Sequence, residues 1–133
     1  MATSVSVAIY DVFDVRDPNH WAIHLDSPKK GHVILQVQDE KKGVGYYVAP
    51  ARYGKSPEAS GRYLRSYVVG HVSSSNHDAA ETLILGTPVD NNSNVWNCQA
   101  WVVEALDSLE RNGLFKWDKK VKAEILSQRQ DWQ

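Results

Sequence analysis

Hydrophobic and polar residues alternate from the start of the chain. In residues 4–10, Val5, Val7 and Ile9 fall on one face, the period-two signature of a strand with one side in a core. The pattern returns in residues 20–26, where Trp21, Ile23 and Leu25 share one face and His20, Ala22 and His24 the other. It returns again in residues 32–38, with Val33, Leu35 and Val37 opposed to His32, Ile34, Gln36 and Gln38. Residues 14–19 and 27–31, between these runs, have the composition of turns. Residues 45–49 and 63–72 are rich in aromatic and β-branched side chains and predict two further strands, separated by a loop over residues 50–61.

The period then changes. Residues 73–78 offer several N-caps for a short helix over residues 79–85, stopped by Gly86 and Pro88. A second helix opens at Cys98, with Asn94 or Asn97 as its N-cap, and runs to Arg111 before Asn112-Gly113. A last helix, from residue 118 to about residue 130, carries a narrow apolar stripe of Val121, Ile125 and Leu126 among Lys119, Lys120, Lys122 and Glu124. Strands first and helices after predict an α+β fold, an antiparallel sheet packed on helices. With 133 residues and no repeat or low-complexity segment, the chain reads as one domain over residues 1–133.

Composition narrows the classes. A hydrophobic content of 42% against 23% charged residues fits a globular chain rather than a disordered one. A formal net charge of -1 gives no electrostatic footprint for nucleic acid. No run reaches membrane-spanning length, so no integral membrane association is expected. The residues after Met1 enter a strand pattern without a charged-then-apolar leader, and a cytoplasmic setting is the expectation. The single cysteine excludes an intrachain disulfide and a multi-cysteine zinc site, and no motif calls for a cofactor or a metal.

That cysteine is the candidate for chemistry. A lone cysteine is most often a small buried hydrophobe. Cys98, however, opens a helix, where the positive end of the macrodipole raises the nucleophilicity of a thiol. A working nucleophile also needs a base in reach and a third group to orient that base. Of the five histidines, His20 begins a strand just after a turn, at the sheet end that a helix N-terminus can approach. A hairpin turn centred on Pro28 would set His20 opposite Gln36 and His24 opposite His32, with each pair on one face. Gln36 would then hold the His20 ring in one tautomer, with His32 as the alternative third group. Plain surface roles are expected for the others: His24 and His32 on a solvated hairpin face, His71 on a strand surface and His77 near an N-cap.

The combination of His20-Trp21-Ala22-Ile23 at a strand start with Asn97-Cys98-Gln99-Ala100-Trp101-Val102 at a helix start resembles the lecithin:retinol acyltransferase and H-rev107 group. In that group the two motifs read H-W-A-[ILV] and N-C-E-H-F-V. The group consists of circularly permuted relatives of the NlpC/P60 peptidases, with a papain-like core. The resemblance follows the element order of the whole domain but is carried by about ten residues. Gln99 stands where the group has Glu, Ala100 where it has His, and the third catalytic His falls near Leu35 or Gln36. The membrane anchor of many members has no counterpart here.

The resemblance implies a permuted papain-like fold with Cys98 as nucleophile, His20 as general base and Gln36 orienting the base. It implies a hydrolase or acyltransferase working through a Cys98 thioester on a small-molecule, acyl or peptide substrate. The backbone amides at the helix start, that of Cys98 included, would form the oxyanion site. An NlpC/P60-type amidase or peptidase and an inactive binding module of the same fold are the alternatives.

Overall fold

A computed structural model describes residues 2–14, 16–41, 45–93 and 95–130. It is an α+β arrangement of antiparallel sheet and, among the described residues, three α-helices. Strands β1 (Ala2–Tyr10), β2 (His20–Ser27), β3 (Gly31–Leu35), β6 (Arg52–Tyr53) and β7 (Tyr63–Ser73) form one sheet in the order β6-β3-β2-β1-β7. Two short strands, β4 (Val37–Asp39) and β5 (Tyr46–Val48), pair separately. The helices are α1 (His77–Leu85), α2 (Cys98–Arg111) and α3 (Lys119–Ser127).

The alternation predicted for the first three strands decides what each sheet face buries. Val5, Val7, Ile9, Trp21, Ile23, Leu25, Val33 and Leu35 all enter one core, with Ala80, Ile84, Trp101, Val102, Leu106, Leu109 and Ile125 from the helices. The opposite face buries a smaller cluster, Ala8, Tyr10, Ala22 and Ile34, with Tyr63 packed against it. Helix α2 is buried on most sides at its start, from Cys98 through Val103, because it passes between α1 and strand β2. A Cβ at Gly70 in β7 would meet the Phe115 ring and the Lys116 carbonyl oxygen, so the absent side chain lets the segment after α2 cross the sheet edge. The Asp118 amide donates to the Val69 carbonyl oxygen at 2.8 Å at this crossing.

Several boundaries differ from the sequence reading, each for a local reason. Residues 32–38 are not one strand. The chain leaves the large sheet after Leu35 and enters the small one at Val37, and the Gln36 carbonyl accepts from the Ala49 amide at 2.9 Å. The loop over residues 50–61 contains β6 and a 3-10 turn at Pro57–Ala59. Helix α1 starts two residues earlier than its apolar run, because His77 is buried. Its Nδ1 meets Thr3 Oγ1 at 3.0 Å and its Nε2 meets Glu81 Oε1 at 2.9 Å. Helix α3 is shorter than expected. Asp118 caps it by accepting from the amides of Lys120 and Val121, and Ser127 ends it. Its stripe is also narrower, since Ile125 is fully buried while Leu126 is 38% exposed.

The hairpin register differs too. Asp26 pairs with His32 and Ser27 with Gly31, so the turn centres on Lys29 rather than Pro28, and His24 faces Ile34 instead of His32. Because each partner moves by two residues, every side chain keeps its predicted face.

Candidate active site

The sequence places Cys98 at the first turn of α2, and Asn97 fixes that turn. Its side-chain oxygen accepts from the Gln99 amide at 3.0 Å and the Ala100 amide at 3.3 Å. Asn97 is thus the N-cap, with the extended backbone that the position demands. The other expected cap, Asn94, lies outside the described residues. The loop before the helix is pinned to β5. Asn91 accepts from the Tyr46 amide at 2.8 Å and donates to the Tyr46 carbonyl at 3.0 Å. The Tyr46 and Trp96 rings meet edge to face at 5.1 Å, and the Trp96 indole N–H donates to Glu104 at 2.9 Å.

His20 is the first residue of β2 and points to the same end of the sheet. Its Nε2 lies 2.6 Å from Gln36 Oε1. With a carbonyl oxygen as its partner, Nε2 carries the proton and Nδ1 is left as the basic nitrogen. The ladder between β2 and β3 ends at Ile23 and Leu35, so His20 and Gln36 are not opposed in a ladder. They meet because Gln36 sits at the break between β3 and β4, on the face that His20 shares. Gln36 is 7% exposed, and the contact satisfies an otherwise costly buried amide.

Two forces act on His20. Burial pulls its pKa down. The neighbouring Cys98, together with the Gln36 hydrogen bond, outweighs that and leaves the pKa above the ordinary value of 6.5. His20 and Cys98 thus line the same cleft, although 78 positions separate them in the sequence. The thiol itself is 8% exposed, and its sulfur lies 3.8 Å from the Asn19 carbonyl oxygen.

Cys98, His20, Gln36 and Asn97 line an open cleft of about 750 Å³. Its walls include Tyr10 and Tyr46 from the sheets, and Arg52, Lys55 and Pro57 from the loop over residues 50–61. The Tyr10 ring is tilted against that of His20, with centroids 5.5 Å apart. Burial, with Glu58 and Tyr63 nearby and Arg52 opposing, pushes the Tyr10 phenol up to about 12, so it stays a donor at neutral pH. At the rim the Arg62 guanidinium lies 3.6 Å above the Phe13 ring.

The other predicted roles separate cleanly. His32 is not beside His20; its Nδ1 meets His24 Nε2 at 2.9 Å, and the two rings stack. His24 is buried at 8% exposure, not solvated, while His71 is exposed as expected. The expected oxyanion donors shrink to one. The Gln99 and Ala100 amides are consumed by the Asn97 side chain, and the Cys98 amide is the first-turn donor that the cap does not take.

Sequence reasoning missed Gln99, Asn19 and Gln130. The Gln99 amide nitrogen donates to the Asn19 carbonyl at 2.9 Å, and its oxygen accepts from the Gln130 amide at 2.7 Å. A signal existed: a glutamine inside a helix start that is apolar on most sides must find partners. Their identity was not legible, because both lie far away in sequence.

An antiparallel α+β domain with a lone cysteine opening a helix beside a strand-start histidine is the class that fold and site define. The chain belongs to a family of unknown function, DUF6540, whose model matches residues 7–116 and so spans both His20 and Cys98. No curated protein matches the chain, and no solved structure does. Among the described residues no helix is long and apolar enough to cross a membrane, and no group of three or more His, Cys, Asp or Glu could hold a metal ion.

Proposed function

We propose that this protein is a cysteine-dependent hydrolase or acyltransferase that works through a Cys98 thioester. The observation that carries the reading is the convergence of Cys98, His20 and Gln36, from a helix, a strand and a strand break, on one open cleft. A structural cysteine needs no histidine beside it and no cleft above it. The likeness in motif to the lecithin:retinol acyltransferase and H-rev107 group supports the same reading, and with it a permuted papain-like fold of the NlpC/P60 kind.

In this mechanism His20 Nδ1 takes the thiol proton, and the Cys98 sulfur attacks a substrate carbonyl carbon, forming the C–S bond. The Cys98 amide is the donor best placed for the developing oxyanion. The imidazolium returns its proton to the departing amine or alcohol as that bond breaks, leaving the thioester. Water or an acceptor amine or alcohol, deprotonated by His20, then attacks the thioester and releases the thiol. Gln36 accepts from Nε2–H in both protonation states of the ring and so keeps Nδ1 aimed at the sulfur throughout.

A binding module without turnover is the competing reading, favoured by the 8% exposure of Cys98 and by Ala100 at the position where the resembling group has His. An acylating thiol probe discriminates the two. Folded wild-type protein should label faster than the urea-unfolded chain, and His20→Ala should remove the advantage. Labelling of the folded protein at or below the unfolded rate would overturn the enzymatic reading.

A further inference from the structure

Two segments carry the reacting side chains, and they are stitched together by a set of hydrogen bonds among the residues beside Cys98 and His20, with the Asn19 carbonyl oxygen also 3.8 Å from the Cys98 sulfur. Asn19 precedes His20, while Asn97 and Gln99 flank Cys98. Gln99 is fully buried, and its side chain donates to the Asn19 carbonyl at 2.9 Å. Gln130, beyond the end of α3, touches every member of the set. Its side-chain oxygen accepts from the Asn19 amide at 2.9 Å and lies 3.4 Å from the Gln99 side-chain nitrogen. Its own amide donates to the Gln99 side-chain oxygen at 2.7 Å, and its carbonyl accepts from the Asn97 side chain at 2.8 Å.

We infer that Gln130 is a positioning residue for the Cys98–His20 pair. The inference rests on the thiol–imidazole reading above and extends it to the segment after α3. The chemistry follows from where the bonds land. The Asn19 peptide is held at both ends, its N–H by Gln130 and its C=O by Gln99, and the residue it fixes is the one from which the base projects. Asn97, the helix cap, is tied to the same glutamine. The gap between sulfur and imidazole is thus set by a third segment rather than by either of the two that carry the reacting atoms. A displacement of an ångström at a reacting pair costs far more in rate than in stability, because the thiol–imidazole contact decays faster with distance than packing does.

Only the acceptor capacity of the Gln130 side chain is used toward Asn19 and Gln99. That separates positioning from mere docking. Gln130→Ala removes the acceptor, and Gln130→Glu retains it. Gln128 supplies the control, because it anchors the same segment elsewhere, through Tyr67 and Arg65. Gln130 is exposed enough for both variants to fold.

The experiment is the rate of Cys98 alkylation by iodoacetamide across pH, with the thermal midpoint recorded for each variant. Gln130→Ala should slow alkylation near neutral pH by roughly five- to tenfold with little change in midpoint. Gln130→Glu should restore the rate, and Gln128→Ala should keep it. The inference is overturned if Gln130→Ala alkylates at the wild-type rate while His20→Ala is slow, or if Gln128→Ala slows the reaction as much as Gln130→Ala. If His20→Ala also alkylates at the wild-type rate, the thiol–imidazole reading itself fails, and the positioning role with it.

Discussion

Gln36 Oε1 sits 2.6 Å from His20 Nε2 although no β-ladder pairs the two residues. The contact exists because the chain changes sheets at Gln36, which frees its side chain to reach along the sheet end to the first residue of β2. A neutral amide in this place cannot stabilise imidazolium as a carboxylate would. It can fix which nitrogen carries the proton and where the ring points.

Removing that amide should therefore reduce rate rather than abolish it. Gln36→Ala is expected to slow acylation of Cys98 by about tenfold, about 1.4 kcal/mol of barrier. His32→Ala should leave the rate unchanged, because His32 contacts His24 and not His20. A single-turnover assay with an acylating probe checks the ranking, and the reverse order would show that His32 orients the base.

The raised pKa of His20 has a definite sign. An imidazolium held beside Cys98 persists above 6.5, so its contribution to stability is complete below that value and is lost as pH rises through the raised one. On the proposed thiol–imidazole reading, the same charge favours attack by the sulfur at low pH. His20→Ala should slow iodoacetamide alkylation most near about pH 6 and least near about pH 10, where an ordinary thiol is already ionised. His71→Ala, on an exposed strand position, should match wild type at every pH. Parallel profiles for the two variants would remove His20 from the pair.

His24 behaves in the opposite sense. Burial and the neighbouring His32 hold its pKa below 6.5, with Asp26 and Glu58 opposing. The folded state then prefers the neutral ring. Stability is complete above about 6.5 and falls as the medium is acidified through the depressed value. His24→Gln should flatten the fall in thermal midpoint between about pH 6.5 and 5, a change readable by circular dichroism. An unchanged acid limb would show that another group governs it.

Gly70 offers a test of the fold that does not touch the site. An added Cβ would strike the Phe115 ring and the Lys116 carbonyl, and the second of these is backbone and cannot rotate away. Gly70→Ala should destabilise by about 1–3 kcal/mol, as overpacking does. Urea unfolding measures it, and a neutral result would mean that the segment after α2 can move off the sheet at little cost.

The legible part of this protein is local. Period-two alternation placed β1, β2 and most of β3, because one face of each strand enters the main core while the other carries the smaller cluster and the polar residues. An asparagine before Cys98, Asn94 or Asn97, and Gly113 after Arg111 marked the ends of α2, since caps act on neighbouring amides. His20 and Cys98 stood out by residue type at a strand start and a helix start. His24 and His77 were misread as surface residues, because the partners that bury them, His32 for one and Thr3 with Glu81 for the other, are set by packing.

By itself, then, the sequence determined most of the element types, the face each strand side chain takes, and the thiol and imidazole at a helix start and a strand start. Those features depend on contacts between near neighbours, or on a periodicity that survives a change of register. Tertiary structure alone decided the centre of the hairpin, the break at Gln36, the burial of His24 and the clasp of Gln99 and Gln130 on Asn19. Each of these requires segments far apart in the chain to meet at hydrogen-bonding distance. Hydrogen bonds are satisfied by whichever partner the fold delivers, and residue spacing along the chain carries no record of which partner that is.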